Sequence, residues 1–102
     1  MSVAQGHVIG DNSNRITLRF GISGVEYDLT AQTSPPHPPF RANNATLTYN
    51  GTDQLHSSAS FNGRIGPDIF EFNFDNGVVA RGHLDTPVVP AQMIQGTGVW
   101  RQ

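Results

Sequence analysis

Polar and apolar residues alternate with period two along most of this chain. Across residues 15–22, Ile16, Leu18, Phe20 and Ile22 share one face, while Arg15, Thr17 and Arg19 share the other. After Ser23-Gly24 the alternation resumes, with Val25, Tyr27 and Leu29 set against Glu26, Asp28 and Thr30. This is the signature of half-buried β-strands. The apolar faces keep the same parity across the break, which predicts a hairpin with Arg19 across from Asp28 or Glu26.

A second hairpin is predicted where Ile69-Phe-Glu-Phe-Asn-Phe74 meets Val78-Val-Ala-Arg-Gly-His-Leu84 across Asp75-Asn76-Gly77. A two-residue Asn-Gly turn would place Phe72 opposite Arg81 and mix the faces. A three-residue loop with Gly77 in the left-handed region instead pairs Phe74 with Val78, Phe72 with Ala80 and Phe70 with Gly82. That register also sets Glu71 opposite Arg81 as a surface pair. Between these hairpins, Ala45 to Tyr49 and Leu55 to Phe61 read as a third. Strands over residues 3–9 and 92–100 begin and end the chain, giving about eight in all.

No stretch of ten or more residues carries helical periodicity, and Gly and Pro punctuate the sequence at short intervals. A faint internal echo is present: Gly6 to Gly10, Ile16 to Phe20 and Gly24-Val25 are spaced much like Gly63 to Gly66, Phe70 to Phe74 and Gly77-Val78. Duplication or the natural repetition of an antiparallel meander would each produce it, and the meander is the simpler source.

Two proline segments, Ser34-Pro-Pro-His-Pro-Pro-Phe40 and Thr86-Pro-Val-Val-Pro90, interrupt the short connections. Pro35 to Pro38 satisfies the spacing of a polyproline ligand, but it lies inside the folded pattern with only Arg41 as a flanking cation. It reads instead as a strap across one end of the sheet, with Phe40 tucked beneath. The 102 residues make one domain, residues 1–102, with room for a single modest core. Short strands in a chain of this size must manage their edges, and closure of the first strand on the last removes them. The expected fold is therefore all-β: a small closed or nearly closed antiparallel up-and-down barrel of about eight strands, with a two-sheet sandwich as the alternative. The layout resembles the general plan of calycin-like and avidin-like barrels without carrying a motif of either, a likeness that implies architecture alone.

Composition narrows the chemistry. No cysteine is present, which removes disulfides, thiolate catalysis and Cys-based metal sites. All six cationic residues are Arg, so Schiff-base chemistry and a phosphate-loop lysine are missing. A formal net charge of −2 with no basic run argues against nucleic acid or an anionic membrane surface as partner. The opening MSVAQGHVIGDNSN has no charged segment leading into an apolar run, and no apolar stretch reaches the length of a bilayer span. A cytoplasmic protein is the expectation.

The four His, at positions 7, 37, 56 and 83, form no metal-binding spacing, and no cofactor motif is present. Asp11, Asp53, Asp68, Asp75 and Asp85 stand at predicted turns, where carboxylates accept backbone hydrogen bonds. The candidate ligand-binding residues are Tyr27, Tyr49 and Trp100, which combine apolar contact with a hydrogen bond, and Phe40 beneath the strap. Phe70, Phe72 and Phe74 line or fill the interior. The leading expectation is a barrel that binds a small apolar or carbohydrate-like molecule at a mouth covered by Ser34 to Phe40. The alternatives are a protein-interaction module, as a homo-oligomer or inhibitor, and a small cyclase or isomerase acting through cavity shape.

Overall fold

The computed structural model describes residues 2–12 and 14–102. Eight strands run along the chain: β1 (Ser2–Asn12), β2 (Arg15–Ile22), β3 (Val25–Ser34), β4 (Phe40–Tyr49), β5 (Ser57–Ile65), β6 (Ile69–Phe74), β7 (Val79–His83) and β8 (Gln92–Arg101). A 3-10 turn, Thr52–Leu55, lies between β4 and β5. All neighbouring strands are antiparallel, and the sheet closes on itself in the order β1-β2-β3-β8-β5-β6-β7-β4. The closed antiparallel barrel expected from the alternation is the observed fold. Each strand is thus paired on both sides over part of its length, and closure leaves no strand as the open edge of a sheet among the described residues. The side chain of Asp11, read above as a turn carboxylate, lies outside the described residues, and its backbone belongs to β1.

The strand order corrects the simple up-and-down path. The first strand closes on β4 rather than on the last, and β8 inserts between β3 and β5. Residues 45–61 accordingly do not form a hairpin: β4 pairs with β1 and β7, and β5 pairs with β6 and β8. Each half of the chain is a Greek key, three hairpin-connected strands whose fourth returns beside the first. β1 to β4 make one such unit and β5 to β8 the other. They join edge to edge through β3·β8 and β4·β7.

The two proline segments are the long Greek-key returns, one in each half, and both cross the same end of the barrel. Ser34–Pro35 and Val89–Pro90 are cis, as is Gly66–Pro67 in the tight β5–β6 turn. The sequence echo falls on topologically equivalent places: Gly6 and Gly63 on β1 and β5, Phe20 and Phe74 on β2 and β6, Gly24 and Gly77 in the following turns. The repetition thus follows two Greek keys, not the run of a meander.

Both predicted hairpins are present, the first in the register that sets Arg19 opposite Asp28 rather than Glu26. Ser23 and Gly24 have φ of 52° and 79°, a two-residue turn with both central residues left-handed, and Arg19 stands opposite Asp28 at 3.7 Å. At the second hairpin, Phe74 N donates to Val78 O at 2.9 Å, Phe72 faces Ala80, Phe70 faces Gly82, and Arg81 approaches Glu71 at 3.8 Å. Gly77 adopts φ 92°, and a Cβ there would meet nothing within 4 Å. Gly77→Ala therefore isolates the backbone cost. Urea denaturation is expected to read a loss of about 1 kcal/mol, and unchanged stability would contradict the left-handed turn.

Inward residues of every strand fill the lumen. Phe20, Phe70, Phe72, Ile16, Leu18, Leu29 and Leu47 are fully buried, and burial of each such side chain contributes about 1.5–3 kcal/mol relative to exposure. Four rings stack through the middle, with centroids 4.8 Å apart for Phe70–Phe72 and for Phe61–Phe72, and 5.1 Å for Phe61–Phe74. Small inward residues such as Ala31, Ala80, Gly63 and Gly96 leave the volume that these rings occupy. None of the described helical residues forms a segment long and apolar enough to cross a membrane.

Candidate functional site

The four residues singled out from sequence sit at opposite ends of the barrel. Tyr27 near the start of β3, Tyr49 at the end of β4 and Trp100 at the end of β8 lie toward the end crossed by residues 50–56. Phe40 lies at the other end, under the proline straps. All four are buried, and Trp100 is only 4% exposed. Trp100 packs against Phe74 with centroids 6.0 Å apart, and Tyr27 meets the His56 ring edge-on at 6.3 Å. Their position is that of core residues closing one end of a packed lumen.

At the strap end, His37 is 4% exposed and its ring meets Phe40 edge-on at 5.5 Å. Its Nδ1 lies 2.9 Å from the Pro38 carbonyl, so Nδ1 carries the proton, and Nε2 has no hydrogen-bond partner among the described residues. The second strap seats Val88 in the core, with Val88 N donating to Pro67 O at 2.9 Å. The straps act as plugs. A cleft of about 400 Å³ between them is bounded by Ile9, Pro39, Phe40, Arg41, Asp85 and Thr86, and so reaches Phe40. Among the described residues, no three His, Asp or Glu side chains come together as metal ligands would.

A second cleft lies on the outer wall. A groove of about 560 Å³ runs across β3, β8, β5 and β6. It is built by register: Ser34, Gln95, Asn62 and Asn73 are successive cross-strand partners in one row, and Gln32, Thr97 and Ser60 form the next. Phe61, Phe74 and Gly96 form its floor, and Asp75 closes one end, where its backbone N donates to Ser60 O at 3.0 Å. The seven row residues are exposed, neutral, and spend no side-chain hydrogen bond on another described residue. Elsewhere the wall carries charge, as at Arg19–Asp28 and Arg64–Glu71–Arg81.

Sequence reasoning passed over these residues because each occupies an ordinary outward position of its strand. The available signal was the run of uncharged outward residues Ser58, Ser60 and Asn62 on β5 and Gln95 and Thr97 on β8. Only the insertion of β8 between β3 and β5 assembles them into one face.

Comparison with protein-family models, curated proteins and solved structures finds no match for this chain. The class is therefore defined by the molecule itself: a closed antiparallel barrel of two Greek keys, packed inside and grooved outside.

Proposed function

We propose that the protein is a non-catalytic binding barrel whose ligand seats in the outer groove across β3, β8, β5 and β6. The carrying observation is the pair of rows on its walls, seven neutral side chains whose hydrogen-bonding capacity no other described residue uses. A binding site needs convergent polar groups held in fixed positions, and a closed β ladder fixes them without the entropy cost of ordering loops. The packed lumen supplies the rigidity.

A ligand held inside the barrel has less support, because rings and aliphatic side chains occupy that volume. The same packing weakens the reading of a cyclase or isomerase, which would need an enclosed space to steer its substrate. A protein partner remains the second reading, favoured by Met93 and Val99, which are 69% and 47% exposed on the outer face of β8. A homo-oligomer through that face belongs to this reading.

The test is a blocking substitution. Thr97 stands mid-groove with its side chain outside the core, so Thr97→Trp fills the groove while the fold stays intact. Native mass spectrometry of protein purified from its own host is expected to find a retained small molecule on the wild type and none on Thr97→Trp. Tyr49→Phe and Trp100→Phe should leave retention unchanged. Retention that survives Thr97→Trp but is lost in either of the other two would return the ligand to the lumen and overturn the proposal.

A further inference from the structure

Resting on the groove as the binding site, we infer that its ligand is a neutral oligosaccharide lying across the strands, in contact with β3, β8, β5 and β6 in turn.

The donor and acceptor inventory points to a polyol. Gln32, Gln95, Asn62 and Asn73 each offer a carbonyl acceptor beside an NH₂ donor, and Ser34, Ser60 and Thr97 each offer a hydroxyl that both donates and accepts. Adjacent sugar hydroxyls also donate and accept at neighbouring atoms, so amides and hydroxyls in register match them without a proton being gained or lost. Charge sets the second limit. Asp75 is the formally charged residue among the described residues that line the groove; two cations flank it, Arg15 one strand beyond Gln32 and Arg64 in the next row, opposite Glu71 and Met93. Inside the groove an anionic sugar would meet the Asp75 carboxylate, with the two arginines at its flanks rather than on its walls.

Dimensions and flanks agree with a short chain rather than a single ring. Four adjacent strands span about 14 Å, from a spacing of about 4.8 Å between neighbours. Along β8 the outward residues read Met93, Gln95, Thr97, Val99, so the polar centre of the groove has exposed aliphatic groups on both sides. These suit the C–H faces of sugar rings that project beyond the hydrogen-bonding rows. A peptide fits the same surface less well. The closed barrel offers no open sheet edge for strand addition, and the apolar floor of the groove, Phe61 and Phe74, is only 4% and 5% exposed, too little to anchor a peptide side chain.

Isothermal titration calorimetry of the full chain, with maltotriose, cellotriose, the trimer of N-acetylglucosamine and trigalacturonate as probes, tests this inference. At least one neutral trimer is expected to bind about tenfold more tightly than its own monosaccharide, the gain from one or two further hydrogen bonds. Trigalacturonate should not bind. Gln95→Ala and Asn62→Ala should each weaken the neutral trimer by about fivefold with thermal unfolding unchanged, and Asn62→Asp, which keeps the shape and adds a charge, should weaken it at least as much. If no neutral trimer binds, or trigalacturonate binds better, the sugar assignment is overturned. If a retained host ligand lost in Thr97→Trp proves not to be a sugar, the assignment fails while the groove stands. If sugar binding survives Thr97→Trp, both fail.

Discussion

Phe72→Ala is expected to remove about 3–5 kcal/mol of folding stability, the range for deleting a fully buried ring. Phe72 has no exposed surface, and Phe61 and Phe70 each lie 4.8 Å from its centroid. Its partners across the ladder are Gly63 and Ala80, too small to move into the space it would vacate. Collapse is also opposed by closure, since β6 is hydrogen-bonded on both sides and cannot shift inward without breaking two ladders. Domains of this kind have about 5–15 kcal/mol in total, so the variant would lose a large share of it. The urea midpoint should fall with an unchanged slope. A loss below about 1 kcal/mol would mean that the ring is not enclosed as described.

Gly63→Ala should be as damaging, though it adds one methyl group rather than removing a ring. An ideal Cβ on Gly63 would lie 1.9 Å from the Glu71 carbonyl oxygen and 2.9 Å from Phe72 Cα. Both are backbone atoms of the paired strand, so no rotamer change relieves the contact and β5 must separate from β6. The expected cost is about 3 kcal/mol or more, at the upper end for overpacking. Gly6, the equivalent position on β1, is similarly close to Arg19 O, at 1.8 Å. Gly21 is the control, because a Cβ there meets nothing within 4 Å. Gly21→Ala should change stability by no more than about 0.5 kcal/mol. Equal effects at positions 63 and 21 would show that strand approach is not what selects glycine here.

The local architecture is legible in the sequence because it is encoded locally. Period-two alternation marks the strands, and parity across Asp75-Asn76-Gly77 selects the register that sets Glu71 opposite Arg81, whereas parity across Ser23-Gly24 leaves Asp28 and Glu26 both open to Arg19 and the structure takes Asp28. The proline segments are legible as crossings because polyproline geometry lacks the donors to continue a ladder. What cannot be read is which strand lies on the far side of each hairpin. A strand's two edges carry the same side chains, so Ala45 to Phe61 reads as a hairpin although β4 and β5 turn to different partners. In the structure residues 50–56 cross the barrel end, with Leu55 buried and Gln54 clasping Asn76: Gln54 Nε2 donates to Asn76 O at 2.9 Å and Asn76 Nδ2 donates to Gln54 O at 3.2 Å.

The candidate site depends on that missing information. Tyr27, Tyr49, Trp100 and Phe40 stand out by residue type, and their aromatic surface is used in packing. Gln95 and Asn62 look like any solvent-facing residue until β8 is placed beside β5 and β3. A site made of neighbours from four strands has no spacing signature along the chain.

The most direct test of an external site on a packed barrel is a ¹⁵N–¹H NMR titration with the tightest-binding neutral trimer. The side-chain amide signals of Gln32, Asn62, Asn73 and Gln95 should move together, while the Trp100 indole N–H stays in place. Movement of the Trp100 indole with the four amides unchanged would put the ligand inside the barrel and contradict the account.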